Sequence, residues 1–178
     1  MKNWKVILAI LTANVVLMAA GYTMLIPFLP MYLINELGVS TEDVKMWNGA
    51  IFSITFLIGG IMAPIWGKMA DTRGKKMMAV RAGAGLALSY FLGGIVTTPE
   101  QMFGVRVLQG FAAGLWSACL AIATSLVPME KLGVSLGIMQ AGLTCGNVIG
   151  PLVGGSLATL FGMRASFFVA GGLLTIIT

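Results

Sequence analysis

Histidine is absent from this chain, cysteine occurs twice, and 17 of its 178 residues carry a charge. Each scarcity removes a class of chemistry. No group of catalytic or metal-ligating side chains gathers along the chain, so neither an enzyme nor a bound metal or other cofactor is expected. Cys119 and Cys145 lie within apolar runs and are too few for a disulfide framework, which leaves them as reduced packing residues. A charged fraction of 10% beside 58% hydrophobic residues is a membrane composition; soluble domains carry about 25% charge.

The charges are clustered, leaving uncharged windows at 6–35, 46–67, 82–99, 107–129, 132–163 and 165–178. The first five reach the length of a spanning helix, about 18 residues or more. The last has 14 residues; either it does not span or, as expected here, it is a sixth helix cut short. The predicted helices are about 6–34, 46–70, 77–96, 101–127, 132–161 and 165–178, forming one transmembrane unit over 1–178. Basic residues follow the same alternation. Lys2, Lys5, Lys68, Arg73, Lys75, Lys76, Arg81 and Lys131 fall in the N-terminal tail or in alternate connections, and the opposite connections hold Lys45 and Arg164. This bias puts the N-terminus in the cytoplasm. It also accounts for the net charge of +5 without nucleic acid. The first apolar run, at about 30 residues, is too long for a signal peptide and should stay uncleaved.

Within this frame a few residues stand out. Pro27 and Pro30 should kink the outer end of the first helix, and Asn14, Met18, Gly21 and Leu25 share one of its faces. Arg106 lies inside the fourth helix, where a basic residue costs about 2.5–3.5 kcal/mol on insertion scales. It either snorkels to the outer headgroups or joins Gln109, Gly110, Ala113, Ser117 and Thr124 on a polar, small face lining a cavity. In the fifth helix Gln140, Thr144 and Asn147 form a polar stripe. Beside it Gly142, Gly146, Gly150 and Gly154 recur every four residues, with Pro151 and Gly155 among them. A ridge without side chains invites another backbone to approach; the polar stripe reads either as cavity lining or as interhelical hydrogen bonding. The second and fifth helices echo each other, GGIMAPIWG against GNVIGPLVGG, each with a glycine three residues after its proline. Two groups of three spans related this way make an inverted repeat, whose interrupted helices bracket a transport site.

Three stretches together resemble the major facilitator superfamily. Gly67-Lys-Met-Ala-Asp71-Thr-Arg73-Gly74-Lys75-Lys76 is similar to its G-x-L-A-D-R-x-G-R-K loop, with Met69 for leucine and the basic residue displaced by one. Arg106-Val-Leu-Gln109-Gly110 resembles its R-x-x-Q-G element. Gly146 to Gly155 resembles the G-x-x-x-G-P-x-x-G-G signature of the drug:proton antiporter branch. The resemblance implies an all-α transmembrane fold: the N-terminal six-helix half of a major facilitator, built as a 3+3 inverted repeat and truncated within helix 6. It implies a switch loop in which Gly67 and Gly74 allow close approach and Asp71 meets a helix N-terminus of a C-terminal half outside this chain. Arg106 would belong to the polar network of the cavity, together with the candidates Gln109, Asn14, Gln140, Thr144 and Asn147. The ridge Gly142, Gly146, Gly150, Pro151, Gly154 and Gly155 would be a hinge against a second-half helix.

The function implied is proton-coupled efflux of small amphipathic compounds across the cell membrane, with lipid, substrate and protons as partners. Metabolite uptake on the same fold and a non-transporting sensor or assembly protein are the alternatives. A midplane proton carrier needs a carboxylate or histidine. Glu36, Glu42, Asp43, Asp71, Glu100 and Glu130 all fall in connections or at helix ends, so the carrier is expected in the missing half.

Overall fold

The computed structural model describes residues 4–178, the Ile177 side chain excepted; Lys2, counted above among the inner-side charges, lies outside the described residues. The helices are α1 (Trp4–Thr23), α2 (Leu29–Asn35), α3 (Val44–Arg73), α4 (Lys75–Ile95), α5 (Pro99–Ala112), α6 (Leu115–Leu126), α7 (Met129–Phe161) and α8 (Met163–Ile177). Taken as spans, α1–α2, α3, α4, α5–α6 and α7 are long and apolar enough to cross a membrane. The chain is a multi-pass membrane protein. Helix α8, with 15 residues, rises about 22 Å.

Two spans are broken, and neither is one of the proline-containing echo helices. Pro64 and Pro151 sit inside unbroken α3 and α7, so the expected interruption of the second and fifth spans is corrected. A proline removes one N–H and leaves the neighbouring turns intact. The breaks lie in the first and fourth spans. After Thr23 the chain makes a short 3-10 turn at Ile26–Phe28, and Pro27 and Pro30 sit at the second positions of that turn and of α2. A missing N–H costs nothing there, because a helix start has no partner for it. Between α5 and α6, Gly114 adopts φ +116°, reversing the backbone hand in a way that only glycine does cheaply.

The helices pair crosswise. The first span of each group of three packs on the middle span of the other group, α1 on α7 and α5 on α3, while the third spans α4 and α8 pack on each other. A two-fold axis between the triplets produces this pattern, so the inverted repeat is visible in the packing as well as in the echo. Two apolar cores result. One gathers Leu29, Tyr32, Leu33, Ile51, Met102 and Phe167 around α2; the other gathers Leu11, Val15, Leu115, Cys119, Ala123 and Met139. Cys119 is a packing residue as expected, whereas Cys145 is exposed on α7.

The connections at the end of the bundle opposite Gly74 carry the one ion pair among the described residues. The Arg164 side chain donates Nε–H to Glu36 Oε2 at 2.8 Å and Nη1–H to the Gly94 carbonyl at 3.2 Å. This ties the ends of α2 and α4 to the start of α8. Both charged side chains are about one-third exposed, 35% and 32%, so solvent screens the pair. Glu36→Gln is expected to lower stability by less than about 1 kcal/mol, read as a small drop in the melting temperature of detergent-solubilised protein.

Candidate functional site

A cavity of about 500 Å³ opens between α1, α3, α4 and the α5–α6 break. Its wall is mostly apolar, with Tyr22, Thr55, Tyr90, Gln109 and Asn147 as the polar positions. Gln109 is held from behind. Arg106 is 5% exposed and Gln109 4%, and Arg106 Nη1 donates to Gln109 Oε1 at 2.9 Å. The guanidinium also lies 5.7 Å from the Phe52 ring centre. Arg106 is therefore embedded in protein and does not snorkel outward. The backbone makes that depth possible. A Cβ at Gly110 would lie 2.6 Å from the Thr55 carbonyl oxygen, so α5 approaches α3 closely and carries Arg106 inward. Thr55 Oγ1 donates to the Ile51 carbonyl at 2.9 Å and to the Arg106 carbonyl at 3.3 Å.

Other predicted polar residues divide. Asn147 lines the cavity. Its stripe partners Gln140 and Thr144 do not border it, and Thr144 donates back to the Gln140 carbonyl at 3.1 Å. Asn14 likewise donates to Ile10 of its own helix at 3.0 Å. A polar side chain on a helix can satisfy itself one turn back, and periodicity does not distinguish that from cavity lining. Nor does the polar face of the fourth span run unbroken. Beyond Gly114, Ser117 opens on a different space and Thr124 bonds the Ala121 carbonyl.

That second space is a chamber of about 360 Å³ between α3, α4 and α6, bordered by Trp66, Asp71, Lys75, Arg81 and Ser117. It holds much of the predicted switch motif, which is less of a loop than its sequence suggests. Residues 67–73 continue α3, and Gly74, at φ +93°, is the entire connection to α4. Gly67 borders the chamber, and Lys75 donates Nζ–H to the Ala121 carbonyl at 2.9 Å. Arg73 and Lys76 are exposed.

Sequence reasoning missed a clamp at the break. The carbonyls of Phe111 and Ala113 lose their helical partners there, and Arg81 takes both, Nη1 to Phe111 at 3.2 Å and Nη2 to Ala113 at 2.9 Å. Trp66 Nε1 also donates to Phe111 at 2.9 Å, and its ring lies 3.8 Å from the Arg81 guanidinium carbon. Charge counting absorbed Arg81 as a topology signal; its place two turns into the third span was the available hint. The break separates the two cavities, which share Gly59, Ala113 and Gly114 in their walls.

The glycine ridge of α7 packs on α1 of this same chain. Gly142 faces Thr12 and Val16, Gly146 faces Val16 and Ala19, Gly150 faces Ala20 and Thr23, and Gly154 faces Met24. This corrects the expected partner, a second-half helix. Gly155 stands near Phe28, and Pro151 is half-buried beside the ridge.

Comparison with known proteins agrees with this architecture. The chain is 39% identical to the Multidrug resistance protein MdtG of Proteus mirabilis (strain HI4320) over 175 residues, 98% of this chain and 43% of that protein. It is 38% identical to the MdtG of Yersinia enterocolitica over 173 residues, 97% and 42% of the two chains. It is also 38% identical to the Multi-drug resistance efflux pump PmrA homolog of Lactococcus lactis over 178 residues, 99% and 43%. The chain thus spans about two fifths of the length of these curated relatives. With the family model matched over residues 11–178, a cavity between crosswise-paired triplets and a glutamine in its wall held by a buried arginine, the chain belongs to the Major Facilitator Superfamily.

Proposed function

We propose that this chain forms one wall of the central cavity of a proton-coupled exporter of small amphipathic compounds, with its N-terminus in the cytoplasm and the cell membrane as its site. The observation that carries this reading is the composition of the cavity: an apolar surface with a few polar side chains, suited to flat apolar molecules that bear polar groups. The relatives' names, multidrug resistance protein and multi-drug resistance efflux pump, point to the same duty. Alternating access then opens the cavity to one side of the membrane at a time. Asp71, at the inner chamber, acts in closing the inner side. No carboxylate borders the central cavity among the described residues, so protons are carried by groups outside this chain.

Everted vesicles containing the full-length protein test the reading. Under an inward-acid gradient the wild type is expected to accumulate ethidium, with Asp71→Asn and Arg106→Ala at no more than about a tenth of its rate, a barrier change of roughly 1.4 kcal/mol. Absence of accumulation, or movement in the opposite direction, would overturn export.

A further inference from the structure

The geometry points to Gln109 as a fixed hydrogen-bond donor that selects, among exported compounds, those bearing a carbonyl or carboxylate acceptor, with Arg106 as its positioning residue. The inference rests on the exporter reading above and specifies the substrate class of that same cavity.

A guanidinium has only donors. The Gln109 atom that faces Arg106 Nη1 at 2.9 Å must therefore be the amide oxygen, and the planar amide then turns its nitrogen the other way. Gln109 lines the central cavity and Arg106 does not. The Gln109 nitrogen has the Tyr90 hydroxyl as its protein neighbour, and it is not among the sealed, unpartnered side-chain atoms, Thr12 Oγ1, Asn48 Oδ1, Arg81 Nε and Ser166 Oγ. An amide nitrogen carries two protons; with one turned towards Tyr90, the other opens onto the cavity.

The other polar groups of the wall are less available. Thr55 spends its hydroxyl proton on backbone carbonyls of Ile51 and Arg106, and Tyr90 points its hydroxyl at the Tyr22 carbonyl, 3.5 Å away. Asn147, on α7, carries no such anchor among the described residues and is exposed. Gln109 is thus the donor whose orientation is set before a substrate arrives. A preset donor in an apolar wall favours a ligand that offers an acceptor at that point and disfavours one that leaves it unpaired. The buried positive charge of Arg106 strengthens this preference, since it polarises the amide in the donating sense.

Rhodamine 6G and ethidium test it. Both are monocations, but the first bears an ester carbonyl and the second has neither carbonyl nor carboxylate, so their ratio cancels any general change in cavity charge. Transport of each is measured with the full-length protein and with Gln109→Glu, which still accepts from Arg106, stays ionised beside it and offers no donor. The ratio of kcat/KM for rhodamine 6G over ethidium is expected to fall about tenfold, mainly through the KM of rhodamine 6G, the effect of one lost hydrogen bond in a dry site. If Gln109→Glu does not fold, Gln109→Met, of similar length and without a donor, is expected to lower the ratio likewise. Equal loss for both dyes in a folded variant overturns the inference and leaves the exporter reading standing. A wild-type protein that moves neither dye overturns the exporter reading and this inference with it.

Discussion

Gly154→Ala is expected to remove most of the folded protein, although alanine is the better helix former. A methyl group there would collide with the carbonyl of Met24, and at Gly146 it would lie 2.7 Å from Ala19 Cβ and 3.1 Å from the Ala20 nitrogen. These are backbone and short side-chain atoms that cannot swing aside, so α1 must separate from α7. Overpacking of this kind costs about 1–3 kcal/mol per site. Gly133→Ala and Gly137→Ala, in the same helix, meet no atom within 4 Å and should gain up to about 1 kcal/mol of helix propensity. Melting of the full-length protein in detergent, with its abundance in membranes, checks both. A wild-type melting temperature for Gly154→Ala would show that the ridge does not seat α1.

The second large effect is expected at the break in the fourth span. Arg81→Ala leaves the Ala113 carbonyl without its partner and removes the cation stacked on Trp66. An unpaired acceptor costs about 1–3 kcal/mol, reduced here by the partial exposure of Arg81. Arg81→Lys is not expected to restore stability, because an ammonium cannot span two carbonyls and stack on an indole at once. Gly114→Ala acts on the same feature from the other side. At φ +116° a Cβ is strained by about 1–2 kcal/mol, and the cheapest relief is for the span to close into one helix. Backbone hydrogen exchange over 113–118 distinguishes the two. Gly114→Ala should slow exchange as the amides of Leu115 and Ser117 regain helical acceptors, and Arg81→Ala should hasten it. If Arg81→Lys melts like the wild type, the clamp is only a charge at the membrane face.

Much of the fold could be read from the residues, because in a bilayer hydrophobic length and the placement of basic residues almost dictate the spans. The site was legible only in part. The pair Arg106 and Gln109 was found because a charge inside an apolar helix has few places to go. Tyr22 and Tyr90 were not, since tyrosines within apolar windows look like any other core aromatics. Four glycines at a step of four announced a close approach, yet said nothing about which helix would come. Gly114, four residues after Gly110, carries no local mark that sets it apart. Its left-handed turn depends on Arg81 and Trp66, which arrive from two other helices, and no local pattern records that. Asn14 and Thr144 do not border this cavity, and each donates to a carbonyl of its own helix.

The crosswise pairing also sets a timetable for biogenesis. The ridge that seats α1 begins at Gly142, which meets Thr12, about 130 residues earlier in the chain. At synthesis rates of 5–20 residues per second, α1 waits on the order of ten seconds in the bilayer for its partner. During that interval Thr12, Val16, Ala19, Ala20 and Thr23, the residues that the ridge will meet, face lipid or the insertion machinery. Assembly of this chain is therefore a late event, gated by the arrival of α7, and its first helix depends longest on whatever shelters a nascent membrane segment.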